Sequence, residues 1–350
     1  MGGVIKLKEP NDSRIENCSF IKVILMILVV LYHSSVFWTG TWLNVISVYE
    51  KSIFLDIFSR WLNSFHVYGF TLVSGYIFNY LIDEGKYRNF KKFILKKLNR
   101  LILPYLFVTI IWVAPISSIV LSLDKTELFY KYVLCINPSQ LWFLWMLFNV
   151  FIISWCLKKY IRNDMQALII CLLSYAIGLI GGRLLPNVFC IWTSLKFLTY
   201  FIIGMKINEK DNSYFLSVSP LYYLVIHLAL FIIVNLFSRY TGVVFSVFTL
   251  GFSYIMNIIG AIMSYSVLSA LSEKFNWEDN KLFNKLSKRS MIIYLFHQQV
   301  IYSTIILFNG RVSPILNMLI NFVVAMVISY VISDILLKFK VTRKLVGENY

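Results

Sequence analysis

Apolar residues recur along this chain in long blocks separated by short polar breaks. A helix needs about 20 mostly apolar residues to cross hydrocarbon about 30 Å thick. Blocks of that order run at Phe20–Trp38, Phe65–Ile82, Leu101–Leu123, Leu141–Leu157, Met165–Gly182, Cys190–Ile207, Val218–Phe237, Val243–Leu271, Met291–Phe308 and Ile315–Phe339. The pattern predicts an all-α polytopic membrane protein of about ten transmembrane helices, with nine or eleven also compatible. No hydrophilic block is long enough for a separate soluble domain, and no repeat or low-complexity tract breaks the series. The expected division is an N-terminal segment at 1–19, a membrane domain at 20–339 and a C-terminal tail at 340–350.

Two connections are themselves patterned. In Ser52–Phe65, Ile53, Phe54, Ile57, Phe58, Trp61, Leu62 and Phe65 share a helical stripe, with Lys51, Asp56, Ser59, Arg60 and Asn63 mostly opposite. That predicts a helix lying on the outer interface. Tyr87–Arg100 mixes Phe90, Phe93, Ile94 and Leu98 with Lys91, Lys92, Lys96, Lys97 and Arg100, an inner counterpart. On charge alone, this second stretch reads as an anchor for anionic lipid.

Composition supports the membrane reading. Only 14% of residues are charged and 59% are hydrophobic, against roughly 25% charged in a soluble domain. Most of the surface must therefore face something other than water. The net charge of +16 would suit nucleic acid, but its placement explains it otherwise. With the N-terminus inside, the inner segments carry 25 of the 33 Lys and Arg residues and the outer ones 7, with Lys196 inside a span. Such a bias predicts both termini in the cytoplasm and leaves no need for a nucleic-acid partner. Five scattered cysteines show neither a disulfide framework nor metal-ligand spacing. The first block runs into Trp38 and Thr39 rather than a small-residue cleavage site, so it is expected to remain as an anchor.

Ionisable side chains inside apolar helices are costly and tend to be functional. The set is small: His33, His66, Lys196, His227 and His297, with Lys22 opening the first span. Eleven residues of helix, about 16 Å, separate Lys22 from His33, which puts His33 near mid-membrane or just outside it. A neutral imidazole there can accept a proton. The plainer alternative is a histidine that only bonds a neighbouring helix. That alternative is preferred for His227, alone on an apolar face. For Lys196 the two readings are even, because a buried ammonium needs a carboxylate, a water-filled cavity or an anionic ligand.

The run Arg14–His33, RIENCSFIKVILMILVVLYH, resembles the opening of the integral-membrane acyltransferase family 3, which O-acylates carbohydrates. That family begins with aspartate, then arginine, ten residues and histidine. Here Lys22 and His33 have the spacing, with Lys for Arg, and Ser19 stands where the aspartate is common. Phe65–Phe78 (FHVYGFTLVSGYIF) resembles the family's second-span block ending in Ser-Gly-Tyr. Lys97–Tyr105 (KLNRLILPY) is similar to its basic pair three apart followed by Leu and Pro-Tyr, again with Lys for the first Arg. Trp142-Phe143-Leu144, Phe201–Met205 (FIIGM) and Ile293–His297 (IYLFH) fall in the order of later landmarks.

The resemblance implies a carbohydrate O-acetyltransferase integral to the plasma membrane, of the bacterial cytoplasmic kind. Its donor would be acyl-coenzyme A, usually acetyl, reached from the cytoplasm, and its acceptor a hydroxyl of a lipid-linked or cell-surface polysaccharide. His33 would be the catalytic base, with Lys22 tuning it, and Lys97 and Arg100 would bind the donor. His66, Ser74, Tyr76, Trp142, Lys196 and His297 would contact substrate. No metal and no permanently bound cofactor are implied, and the partners are donor, acceptor glycan and membrane lipid. Composition alone would favour a transporter or flippase of a glycan or small solute, the commoner kind of polytopic protein. The order of the motifs is what favours an enzyme.

Overall fold

In hydrocarbon every backbone N–H and C=O must be satisfied within the segment, which leaves the helix as the open-chain solution. The structure, a computed structural model, describes residues 10–43, 45–209, 217–275 and 277–348, with no strand among them. Three expected inner cations, Lys6, Lys8 and Lys210, lie outside the described residues. The helices are α1 Pro10–Ser35, α2 Ile53–Asn63, α3 His66–Asp83, α4 Phe90–Lys97, α5 Leu103–Val108, α6 Ala114–Val120, α7 Lys125–Leu128, α8 Trp142–Leu157 and α9 Asp164–Leu184. They continue as α10 Ile191–Glu209, α11 Pro220–Phe237, α12 Val243–Lys274, α13 Lys281–Phe308, α14 Pro314–Lys338 and α15 Lys340–Leu345.

Among the described residues, nine helical stretches are long and apolar enough to cross a membrane. The tenth expected span, α3, is 18 residues long but more polar. It packs against α1, α10 and α12, which lets it bury His66, Thr71 and Asn79 away from lipid. At the other extreme, α11 buries His227 but leaves Leu221, Tyr222, Val225 and Ile232 exposed for lipid.

Two phrases that stand far apart in sequence interlock here. A Cβ on Gly75 would lie 2.0 Å from the Phe201 carbonyl oxygen, and one on Gly204 would lie 1.9 Å from that of Leu72. The Ser-Gly-Tyr of α3 and the Phe-Ile-Ile-Gly-Met of α10 are thus the two halves of one close helix contact. Without a hydrophobic force between helices in lipid, small residues of this kind set the approach.

The stretch from Phe90 to Val120 departs from the sequence expectation. The two expected pieces join into one helical stretch long and apolar enough to cross a membrane, an irregular one, because α4 runs on through a π turn at Leu98–Ile102 into α5. A second π turn at Thr109–Val113 leads into α6. Each is followed two residues later by a proline, Pro104 or Pro115. Proline lacks the N–H for an i−4 bond, and the widened turn absorbs the mismatch. By contrast, α2 forms as expected from Ile53, capped by Ser52 accepting from the Leu55 N–H, with Ile53, Phe54 and Ile57 outward. Other ends shift modestly. Helix α1 begins at Pro10, inside the segment assigned to 1–19, and α13 begins at Lys281 rather than Met291. The stretch assigned as a tail folds back as α15, wholly burying Val346 and nearly burying Glu348.

Candidate active site

Eleven residues of α-helix make about three full turns, so Lys22 and His33 face the same side of α1. That side lines a cavity of about 1060 Å³ enclosed mainly by α1, α3, α4, α8 and α13. The cavity has three chemically distinct parts.

The first is rich in cations. Lys22, Lys96, Lys97, Arg100 and Lys288 line it, with Glu348 their one carboxylate among the lining residues at this end. The π turn turns Arg100 toward the mouth while Lys97 is buried. The Lys97 Nζ lies 3.4 Å from the centroid of Phe151, 5.1 Å from that of Tyr87 and 5.7 Å from that of Phe93. Such aromatic faces stabilise an ammonium where carboxylates are scarce. Burial raises the Tyr87 phenol above its ordinary range against the opposing pull of Arg100, so it remains an O–H donor.

Histidines occupy the middle. The His33 Nδ1 lies 2.9 Å from the Val29 carbonyl and 3.2 Å from His297 Nε2. The His297 Nδ1 donates to the Tyr294 carbonyl at 2.7 Å, and the His66 Nδ1 to that of Leu62 at 2.6 Å. A carbonyl only accepts, so the proton of each of those rings is on Nδ1 and Nε2 is left with its lone pair. The His66 Nε2 is buried without a partner, and His66 lines the cavity. Between these rings stands Tyr32, 5.0 Å from His33 and 4.9 Å from His66 by centroid.

Aromatic and amide groups mark the third part. Trp42 and Tyr302 lie 5.2 Å apart by ring centroid. The Gln298 amide donates to Ser139 Oγ at 3.0 Å and to the Tyr302 hydroxyl, while its Oε1 is buried without a partner. Alongside, Cys135, Asn137 and Ser139 all take left-handed backbone angles, φ 57°, 53° and 55°. Non-glycine residues hold such angles only where the surroundings enforce them. Interlocked amides of Gln140 and Gln299, at 2.8 and 3.2 Å, and a Tyr294 hydroxyl bond to the Gln140 carbonyl brace this loop. At the rim, burial lowers the Lys131 ammonium from its ordinary range while Glu127 opposes the shift.

Of the residues singled out by sequence, Lys22, His33, His66, Ser74, Lys97, Arg100 and Trp142 line this cavity together. His297 does not reach the wall, and backs His33 instead. Tyr76 is buried behind, its ring 5.7 Å from that of Tyr265. Lys196 is off the cavity, its stem packed on Gly178. His227 meets Ser64 Oγ at 3.0 Å, the interhelical bond expected of it. Sequence reasoning missed Tyr32, Trp42, Ser139, Gln298 and Tyr302. A signal existed for Gln298, since two glutamines follow His297 directly inside a span. Trp42 sits in a loop with no periodic context.

The sequence profile of a known family, described as an acyltransferase domain, matches residues 16–337, nearly the whole chain. This chain belongs to the acyltransferase family 3. Neither curated proteins nor solved structures give a match. The transporter alternative is therefore not favoured, and the protein is a membrane acyltransferase. Within this acyltransferase, most of the family-like phrases border one cavity: those on α1, α3, the π turn, the start of α8 and the centre of α13, while Phe201–Met205 packs behind α3.

Proposed function

We propose that this acyltransferase moves an acetyl group from acyl-coenzyme A, bound at the cation-rich end, to a hydroxyl of a lipid-linked or cell-surface glycan held at the aromatic end. The observation that carries the proposal is the single cavity joining Lys22, Lys97 and Arg100 to Trp42, Gln298 and Tyr302 past the bare Nε2 of His33. Several phosphate charges on coenzyme A match the cation cluster. The rise of about 16 Å from Lys22 to His33 suits an extended pantetheine arm that delivers its thioester to the histidines. In the transfer, the acceptor hydroxyl gives its proton to His33 Nε2 and its oxygen bonds to the thioester carbonyl carbon. The carbon–sulfur bond then breaks, and the leaving thiolate takes the proton back from His33. An indole and a phenol beside an unfilled amide oxygen suit a sugar ring, which offers an apolar face and hydroxyl donors. The bias of Lys and Arg orients the cation-rich end toward the cytoplasm, as in a bacterial cytoplasmic membrane.

Membranes containing the protein, supplied with acetyl-labelled acetyl-coenzyme A, should release free thiol and place the label on endogenous glycan as a base-labile ester. A glycan that crosses the bilayer with no thiol released would overturn the proposal in favour of a flippase.

A further inference from the structure

Resting on the reading of His33 as the base, we infer that His297 is a positioning residue that shares the Nδ1 proton of His33 with the Val29 carbonyl, orienting the ring and supporting the imidazolium formed during transfer. The chain of reasoning starts from Tyr294, whose carbonyl can only accept. The bond of 2.7 Å puts a proton on His297 Nδ1 and leaves Nε2 as an acceptor. That acceptor lies 3.2 Å from His33 Nδ1, the rings meeting edge to face at 4.9 Å between centroids. The other neighbour of His33 Nδ1, the Val29 carbonyl at 2.9 Å, is an acceptor as well. With both neighbours accepting, His33 carries its proton on Nδ1 and turns a bare Nε2 to the cavity.

The same bond matters more as the reaction proceeds. When Nε2 takes the acceptor's proton, the ring becomes cationic and its remaining N–H becomes a stronger donor, so the bond to His297 tightens in the transition state. Only interactions that strengthen in this way raise turnover. In hydrolytic triads a carboxylate plays this part. The carboxylates lining this cavity, Glu127 and Glu348, border its two ends rather than His33. His297 is wholly buried and absent from the cavity wall, so it acts through His33 and not on substrate.

Side-chain isosteres separate this role from simple packing. The terminal amide of glutamine falls where histidine Nε2 lies, whereas that of asparagine falls at Nδ1. His297→Gln therefore keeps an acceptor for His33. His297→Asn keeps a partner for Tyr294 but loses His33, and His297→Leu loses both. With acetyl-coenzyme A as the varied substrate, in membranes at matched protein level, His297→Leu should lower kcat by about ten- to a hundredfold and leave KM for acetyl-coenzyme A within about twofold. His297→Gln should recover most of the loss and His297→Asn little of it. Equal rescue by Asn and Gln, or an unchanged kcat in His297→Leu, overturns the inference. If His297→Leu does not insert, the Gln and Asn pair decides alone. His33→Gln measured in parallel keeps the two readings apart. If it retains turnover, the base assignment fails and this inference with it; if it is inactive while the His297 variants stay active, only the inference fails.

Discussion

His33 and His227 are both imidazoles inside apolar helices, yet they live in different parts of the bundle. His33 belongs to the centre, where α1, α3 and α13 meet around a cavity, and its neighbours are two further histidines and a tyrosine. His227 belongs to the periphery, on a helix largely facing lipid; Ser64 takes up its Nε2, and its Nδ1, though without a partner, faces no cavity. The difference is in what each ring is left to do. The peripheral histidine completes a contact between helices, whereas the central one keeps a lone pair facing a space that substrate can enter. Burial alone therefore does not mark function; a buried polar group with an unfilled bond toward a cavity does.

Four comparisons bear on that contrast, from the greatest effect to the least. His33→Gln keeps size and hydrogen bonding but removes the proton acceptor, so acetyl transfer should fall by roughly 10²–10⁴-fold with membrane insertion intact. Near-normal transfer in that variant would erase the distinction between centre and periphery. Next, Arg100→Ala at the cavity mouth should raise KM for acetyl-coenzyme A by about ten- to a hundredfold, and Arg100→Lys should recover only part, since a point charge replaces a two-pronged donor. Lys196→Ala, off the cavity, should leave that constant unchanged, and a matching rise there would refute the assignment of the mouth.

Packing offers the third comparison. A methyl group at Gly75 meets the Phe201 carbonyl, while Gly251, on the peripheral α12, has nothing within 4 Å. Gly75→Ala should cost about 1–3 kcal/mol, seen as a lower Tm in detergent, whereas Gly251→Ala should be neutral or slightly stabilising. Equal melting temperatures would mean that α3 and α10 are not held at this distance. Smallest of all, His227→Gln should change transfer by less than about threefold, because Gln can still bond Ser64; a loss approaching that of His33→Gln would return His227 to the list of catalytic candidates.

The C-terminal stretch shows how local and tertiary information divide. Its sequence, KVTRKLVGE, reads as a basic tail. In the fold, Val346 enters the core and Glu348 reaches the mouth beside the cations. No periodicity could reveal this, because the partners, Lys22 and Arg100, lie hundreds of residues earlier. Lys97 is a second case. Motif spacing singles it out from the other lysines, but only the packing of α4 near α8 buries it, unlike its exposed neighbours Lys91, Lys92 and Lys96, and brings it over Phe151.

What sequence alone established is what hydrocarbon and local geometry dictate. Runs of apolar residues had to become helices, so the spans were legible almost to the residue along α8, α11 and α12. The spacing of Lys22 and His33 had to put both on one face, since helical turns are fixed by the backbone. The pairing of His33 with His297, 264 residues away, was beyond reach, as were the reciprocal glycines of α3 and α10 and the unfilled atoms of His66 and Gln298. Those depend on how each helix is rotated and how closely its neighbours approach. These are decided by packing summed over the whole bundle, and no stretch of sequence contains them.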